Sequence, residues 1–377
     1  MRILNGIMVN KAGQCIKDGF VDFADGKITA CGCLSEAPEY SGEVLDANGG
    51  YIMPGLIDAH THIGIVEMGM RWEGTDCNES TEAVTPELRA LDGFNPFDAA
   101  VKRSVEAGVT CAGVSPGSTN VIAGQIAAIK LYGRRVDAMT LKPYAAMKFA
   151  LGENPKSYHG NNGRKPKTRM AVAAIMRDCL TRTLQYIERR ENGEKVYDQK
   201  LEALVPVVKR EVPVHFHAHQ ADDIVTAMRI ADEFHLKYNI VHATDADRII
   251  DYMAEAGNIP MMGPSLGVSL KPETARCSCD TCANLYRAGV EVSMTTDHDV
   301  QPLWMLPYYA SFYVREGLPE DAAFRAITIN AAKCLGVEDR IGSLEPGKDA
   351  DIAVFDGHPF HYMTHTSMVF VDGNRIK

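Results

Sequence analysis

Between residues 56 and 340, short apolar runs alternate with amphipathic patterns of helical period. The runs VTCAGVS, AAMKFAL, VPVHFHA, YNIVHAT, NIPMMG and VEVSMTT are separated by stretches such as FDAAVKRSVEAG, DDIVTAMRIADEFH, DADRIIDYMAEAG and EDAAFRAITINAAKCLG. Strand–helix alternation of this kind predicts a parallel sheet with helices packed outside it. The length suits an α/β fold of the (β/α)8 TIM-barrel type, which takes about 250 residues and grows with insertions. An open doubly wound sheet is the rival, but it would place a glycine-rich phosphate loop after its first strand, and this chain has none there.

The two ends have a different texture. Residues 1–55 and 341–377 contain short alternating runs broken by Gly and Asn, with the turn-forming pairs Asp25–Gly26, Asp356–Gly357 and Asp372–Gly373. Asp-Gly between apolar runs is a strong hairpin signal. Both termini are therefore expected to build one small, discontinuous β-sandwich beside a barrel spanning 56–340. Residues 152–200 interrupt the barrel pattern. They open as GENPKSYHGNNGRKPKTR, expected to be an excursion over the barrel rim, and continue as one long helical run to about Glu191. Long excursions of this kind are commonly functional.

Composition removes several classes of function. Hydrophobic residues make up 46% and charged residues 23%, so the chain can bury a core. A net charge of −10 with no Lys/Arg block argues against nucleic acid as a partner. No apolar run approaches the ~20 residues that cross a bilayer. The opening MRILNGIMVN lacks a secretory apolar core, so ten reduced cysteines in a cytoplasmic protein are expected. Cys277, Cys279 and Cys282 could approach a zinc ion. A structural site usually needs four ligands in two pairs, however, and free thiols in a loop and helix start are the simpler expectation.

The chemistry is concentrated at strand ends. In PGLIDAHTH, His60 and His62 share one face of a strand by the period-two rule. His217, His242 and Asp297 each lie near the end of a later apolar run, in VPVHFHA, YNIVHA and VEVSMTTD. Imidazoles and a carboxylate gathered at one barrel rim suit a hydrolytic divalent-metal site, most simply zinc, with a position open for water. His215, His217 and His219 share a face. Residues two apart on a strand differ in height by about 6.5 Å, so only one of them is expected at ligand height. His217 is the choice. His215 then points deeper, and His219 contacts substrate or supports a ligand.

PGLIDAHTH entering a barrel, TTD at its eighth strand, and IGSLEPGKDADIAVFD near the C-terminus together resemble the amidohydrolase superfamily. The texture HAHQADDIVTAMRIADEFH is similar to imidazolonepropionase-like and prolidase-like members. The resemblance implies a metal set of His60, His62, His217, His242 and Asp297. It also implies a fourth-strand lysine that, carboxylated, bridges two ions. Lys148 in AAMKFALGENP is the candidate, and Lys142, followed by Pro143, is its competitor. Imidazolonepropionase-like enzymes carry a glutamate three residues after the fifth-strand histidine. Here that residue is Gln220, which cannot move a proton and leaves Asp297 as the main proton carrier.

The resulting expectation is a hydrolase with one or two divalent ions per chain, cleaving the C–N bond of a small molecule such as a dipeptide, N-acyl amino acid or lactam. Asp297 shuttles the proton from water to the leaving nitrogen. His242 assists, while His219, Gln220, Glu153, Asn154 and Arg169 approach the substrate. Further loop candidates are Arg71, Glu73, Asp76, Glu79, Ser118, Thr119, Asn120 and Lys156. A one-metal aminohydrolase acting on a heterocycle is the alternative, and a non-catalytic scaffold relative a remote one. A homo-oligomer is compatible with the resemblance.

Overall fold

The computed structural model describes residues 1–267 and 271–377. Five strands come first: β1 (Arg2–Val9), β2 (Cys15–Ala24), β3 (Lys27–Cys33), β4 (Val44–Asp46) and β5 (Tyr51–Pro54). The central strands are β6 (Leu56–Thr61), β7 (Val109–Val114), β8 (Ile122–Lys130), β9 (Thr140–Ala150), β10 (Val214–Ala218), β11 (Tyr238–His242), β12 (Met261–Met262) and β13 (Ser293–Met294). The chain ends with β14 (Ile352–Phe355), β15 (Thr366–Val371) and β16 (Asn374–Arg375).

Strands β6 to β13 form one eight-stranded sheet in sequence order. It curls into a nearly closed barrel, with the Thr295 hydroxyl donating to the His60 carbonyl across the seam. The pairs β6–β7, β9–β10, β10–β11, β11–β12 and β12–β13 are parallel. Strand β8 is antiparallel to both neighbours, so the barrel departs from the all-parallel arrangement expected from the sequence. The cause is local. The 115–121 connection turns the chain straight back, and Ala127–Lys130 pairs along β7 with no crossover helix between them.

Among the described residues, twelve α-helices accompany the strands. Before the long excursion come α1 (Ala90–Gly93), α2 (Ala99–Glu106) and α3 (Val136–Met139). The excursion holds α4 (Glu153–Asn161), α5 (Arg169–Glu191) and α6 (Gln199–Val208). Then follow α7 (Ala221–Glu233), α8 (Ile250–Ala256), α9 (Asp280–Arg287), α10 (Leu306–Arg315), α11 (Glu320–Ala326) and α12 (Ile329–Leu335). The Gly/Asn-rich stretch after β9 is thus a helix in its own right. Helix α4 buries Pro155, His159 and Gly160, and that tertiary burial overrides its poor propensity. Thr168 caps α5 by accepting from the Ala171 amide. The run EDAAFRAITINAAKCLG divides into α11 and α12 at Thr328.

The strands at the two chain ends join in a second sheet, ordered β16-β15-β14-β5-β1-β2-β3 with β4 on β1. They form a single eight-stranded sheet where a two-sheet sandwich was expected. Asp25 and Gly26 both have positive φ, 49° and 76°, as do Asp372 and Gly373, 48° and 71°. Each pair links adjacent antiparallel strands as the two-residue turn the sequence predicts. Asp356–Gly357 does not. Residues 356–365 separate β14 from β15, and Asp356 instead accepts from the His365 amide.

The two sheets are joined by a buried ion cluster. Lys130, the last residue of β8, reaches Asp349 at 2.8 Å, Asp351 at 3.1 Å and Asp372 at 2.6 Å. Inside the barrel, Ile57, Ala59, Cys111, Val241 and Met261 pack with Leu335 and Val337. All ten cysteines are free. Cys279 and Cys282 are buried at the start of α9, the Cys277 thiol points to the Pro264 carbonyl, and none of the three belongs to a candidate metal group among the described residues. Among the described residues, no helix is long and apolar enough to cross a membrane.

Candidate metal centre

The site is built at the ends of the barrel strands. Asp58, His60 and His62 project alternately from β6 and the residue beyond it. Asp58 is fully buried and accepts from the amides of His60 (3.0 Å) and Thr296 (2.7 Å) and from the Thr296 hydroxyl (2.8 Å). Burial pushes its carboxyl up to about 7 despite those donors. Next along, the Nε2 atoms of His60 and His62 each lie 3.3 Å from Asp297 Oδ1. His60 Nε2 is also 2.9 Å from the ammonium nitrogen of Lys148, a completely buried lysine on β9.

Protonation states follow from the partners. His62 Nδ1 faces the Ser115 carbonyl at 2.7 Å, and His242 Nδ1 faces the Gly263 carbonyl at 2.7 Å. A carbonyl only accepts, so both Nδ1 atoms carry a proton, and burial that keeps His242 neutral leaves its Nε2 with a lone pair. Burial holds His60, His217 and His242 well below the ordinary imidazole range, and lowers His219 to about 3 and Lys148 to about 7. For Asp297, burial acts to raise the carboxyl, but the facing His60 and His62 rings outweigh it and hold it well below the usual range. His242 Nε2 and Asp297 Oδ1 are both buried without a hydrogen-bond partner among the described residues. Facing acceptors of this kind suit a divalent cation, and the N–H bonds on the far ring nitrogens are the supports that metal-binding histidines use.

The backbone is specialised here as well. His242, Ala243 and Asp297 have φ of 75°, 48° and 49°, in the left-handed region that non-glycine residues seldom adopt. Such strain costs about 1–3 kcal/mol per residue and persists where surrounding structure enforces it.

On the other side of the centre stand His217, His219 and His242, whose donor nitrogens lie within 4.8 Å of one another. The height argument that kept His219 out of this group fails because β10 ends at Ala218. The chain then bends, and the His219 ring stacks on His242 at 4.4 Å and 7°. His215 points deeper, its Nε2 2.9 Å from the Cys334 carbonyl. Lys142 lies apart from the centre, donating to the Leu335 and Gly336 carbonyls.

The excursion after β9 reaches over this group. Asn154 donates to the Ser118 hydroxyl at 2.7 Å, lies 3.3 Å from His217 Nε2, and accepts from Lys271 at 2.6 Å. Arg169 and Gln220 bind each other, with Arg169 also held by both Asp223 oxygens at 3.0 Å. Glu153 sits at the rim, its amide donating to Glu273. Arg71, Glu73 and Asp76 are exposed, and Glu79 caps Thr81. Clefts of about 460 and 410 Å³ flank α4, the first lined by Ser118, Asn154 and Lys271, the second by Glu153, Gln220 and Glu273. Another cleft, about 770 Å³, lies between residues 81–84 and α5 and is lined by His159 but by none of the candidate metal ligands.

Sequence reasoning missed Asp58 and Glu273. Asp58 had a signal, standing two residues before His60 on the same strand face. Glu273 had none: it sits in an irregular KPETARC stretch and is buried only through tertiary packing.

A model of the amidohydrolase family matches residues 51–376. The chain is 37% identical to an amidohydrolase from Thermotoga maritima of solved structure, with a TM-score of 0.96 over 100% of this chain and 99% of that one. It is 27% identical to an imidazolonepropionase of Sphingopyxis alaskensis over 94% of this chain and 91% of that protein. It is also 27% identical to an amidohydrolase of Hapsidospora irregularis, covering 95% of this chain but only 39% of the longer relative. A Xaa-Pro dipeptidase with bound methionine shares the fold at 18% identity and a TM-score of 0.61, covering 99% of this chain and 98% of that one. With the family match running through the barrel and into the closing strands, the chain belongs to the amidohydrolase family, hydrolases that act on carbon–nitrogen bonds.

Proposed function

We propose that this protein hydrolyses the amide C–N bond of a small molecule, such as a dipeptide, N-acyl amino acid or lactam. The observation that carries this reading is the Asp297 carboxylate oxygen, held 3.3 Å from both His60 Nε2 and His62 Nε2. His60, His62 and Asp297 would hold a divalent ion, zinc by donor type, with Lys148 and the His217/His242 side adjoining it. When bound, such an ion supplies Lewis acidity and lowers the pKa of water.

The chain's own residues do the rest. Asp297 Oδ1 accepts the proton of the attacking water and delivers it to the leaving nitrogen, which would otherwise depart as an unprotonated amide anion. Burial keeps much of Lys148 as the neutral amine near neutral pH. Its lone pair can add to carbon dioxide and lose a proton, and the resulting carboxylate would offer oxygen ligands to a divalent ion. Asn154, beside Ser118 and His217, orients the substrate's polar groups.

The likeness to imidazolonepropionase favours a second reading, hydrolytic opening or deamination of a heterocycle by a single ion. Gln220 weighs against it, since an amide bound to Arg169 moves no proton.

Metal counting on the native protein, with a screen of dipeptides, N-acyl amino acids, lactams and imidazolones, separates these readings. Metal-dependent release of an amine from amides is the expected result. A metal-loaded protein that turns over only heterocycles overturns the amide reading.

A further inference from the structure

Glu273 is a buried carboxylate beside the imidazoles, and only one of its oxygens is engaged. It lies in a one-turn helix, Pro272–Thr274, is 2% exposed, and lines the cleft of about 410 Å³ that flanks α4. Its Oε2 accepts from the Glu153 amide at 2.8 Å, and its own amide donates to the Glu153 carboxylate at 3.4 Å. The fit is close: a Cβ on Gly152, whose φ is +81°, would lie 2.8 Å from Oε2. Oε1 is buried and, among the described residues, accepts no hydrogen bond.

The surroundings of Oε1 do not complete it. His217 Nε2 is 3.8 Å away and His219 Nε2 3.9 Å, both beyond hydrogen-bond distance. The Lys271 ammonium, also 3.9 Å away, is bonded to Asn154 Oδ1 at 2.6 Å. Arg169, which lines the same cleft, is held by Gln220 and by both Asp223 oxygens. A buried carboxylate oxygen without a donor is costly, and its best complement is a cationic N–H group, which makes the stronger, charge-assisted bond. With the neighbouring cations bonded elsewhere, a bound molecule is what can supply that group.

We propose that Glu273 Oε1 receives the free α-ammonium group of the substrate. The site then takes amides with an unblocked amino end, a dipeptide or an aminoacyl amide. The inference rests on the proposed amide hydrolysis and narrows it, since an N-acyl amino acid or a simple lactam has no such ammonium. Connectivity agrees with the position. The α-ammonium is carried on the carbon bonded to the scissile carbonyl, so it must bind close to the groups that act on that carbonyl. Oε1 stands on the imidazole side of the centre, 3.8 Å from His217 Nε2. A site with a buried polar group made for one donor discriminates against an analogue lacking it, because the carboxylate is then left unpaired.

The test compares matched amides on the zinc-loaded full chain: dipeptides, and the same compounds with the amino group replaced by hydrogen. The wild type should favour the free amine by about 10–100-fold in kcat/KM, carried mostly by KM. Glu273→Gln should bring the two within roughly threefold of each other while binding as much zinc as the wild type. A wild type that turns over the desamino compounds equally well overturns the inference. So does a Glu273→Gln protein that keeps the full preference or loses its zinc. Should that variant fail to fold, a crystal structure of the wild type with a phosphinic dipeptide analogue decides. An ammonium nitrogen bonded to Glu273 Oε1 supports the assignment, and one bonded elsewhere overturns it. Hydrolysis confined to N-acyl amino acids or lactams removes only this inference, whereas a protein that cleaves no amide loses the proposed function too.

Discussion

Asp58 holds Thr296 by two hydrogen bonds, 2.7 Å from the amide and 2.8 Å from the hydroxyl, and so ties the strand bearing His60 and His62 to the loop bearing Asp297. The two halves of the first metal group come from residues more than 230 positions apart, and this carboxylate sets their spacing. Supporting residues of this type typically change metal affinity by about 10–100-fold. Asp58→Ala should weaken zinc retention by that factor, read by competition with a chelating dye, while circular dichroism still reports a folded barrel. Unchanged affinity would show that the loop holds Asp297 without help.

Asp297 should be indispensable to turnover. Asp297→Asn keeps the side-chain shape but removes the proton acceptor, and general acid–base catalysis contributes about 10²–10⁴-fold. A loss of at least that size in kcat, with an unaltered melting temperature, is expected on whichever amide the screen identifies. A variant retaining a tenth of wild-type kcat would remove Asp297 from the proton path.

Lys130 is a stability residue far from the chemistry. It neutralises Asp349 and Asp351, both buried, and reaches Asp372 in the turn between β15 and β16. Removing one member of a buried ion cluster typically costs about 3–5 kcal/mol, because its partners stay buried and unpaired. Lys130→Met should lower the urea midpoint accordingly and leave metal content intact. A shift below about 1 kcal/mol would mean that the carboxylates find protons or water instead.

Asp349 gives the same junction an acid limit. Burial acts to raise its carboxyl, but bonds from Arg340, Lys130 and Lys27 outweigh it and bring it down to about 2. A folded-state pKa below the unfolded value of about 3.9 adds stability that is complete above that value and is lost as pH falls toward 2. Urea titrations from pH 6 down to pH 2 should show this loss in the wild type and a flatter profile in Asp349→Asn. Parallel profiles would refute the assignment.

Gly152→Ala tests the latch between α4 and Glu273. The added Cβ meets Glu273 Oε2 at 2.8 Å on a backbone with φ of +81°. A destabilisation of about 1–2 kcal/mol by thermal melt is expected, since both the backbone and the carboxylate must shift. A neutral effect would mean that the 152–161 segment is not held by Glu273.

What was readable from the residues alone was local. His60 and His62 fall on one face because strands alternate, whatever surrounds them. His217 and His242 end apolar runs, and Asp25–Gly26 and Asp372–Gly373 turn as their positive φ allows. These signals depend on neighbours a few positions apart, so a single chain carries them openly. The direction of β8, the inward swing of His219 beyond Ala218, the burial of Glu273 and the Lys130 cluster lay outside that reach. Each depends on contacts between distant segments, such as Glu153 with Glu273 or Lys130 with Asp351. Local periodicity tells which face of an element is apolar, but pairing direction and loop burial are settled only when separate elements compete for the same core.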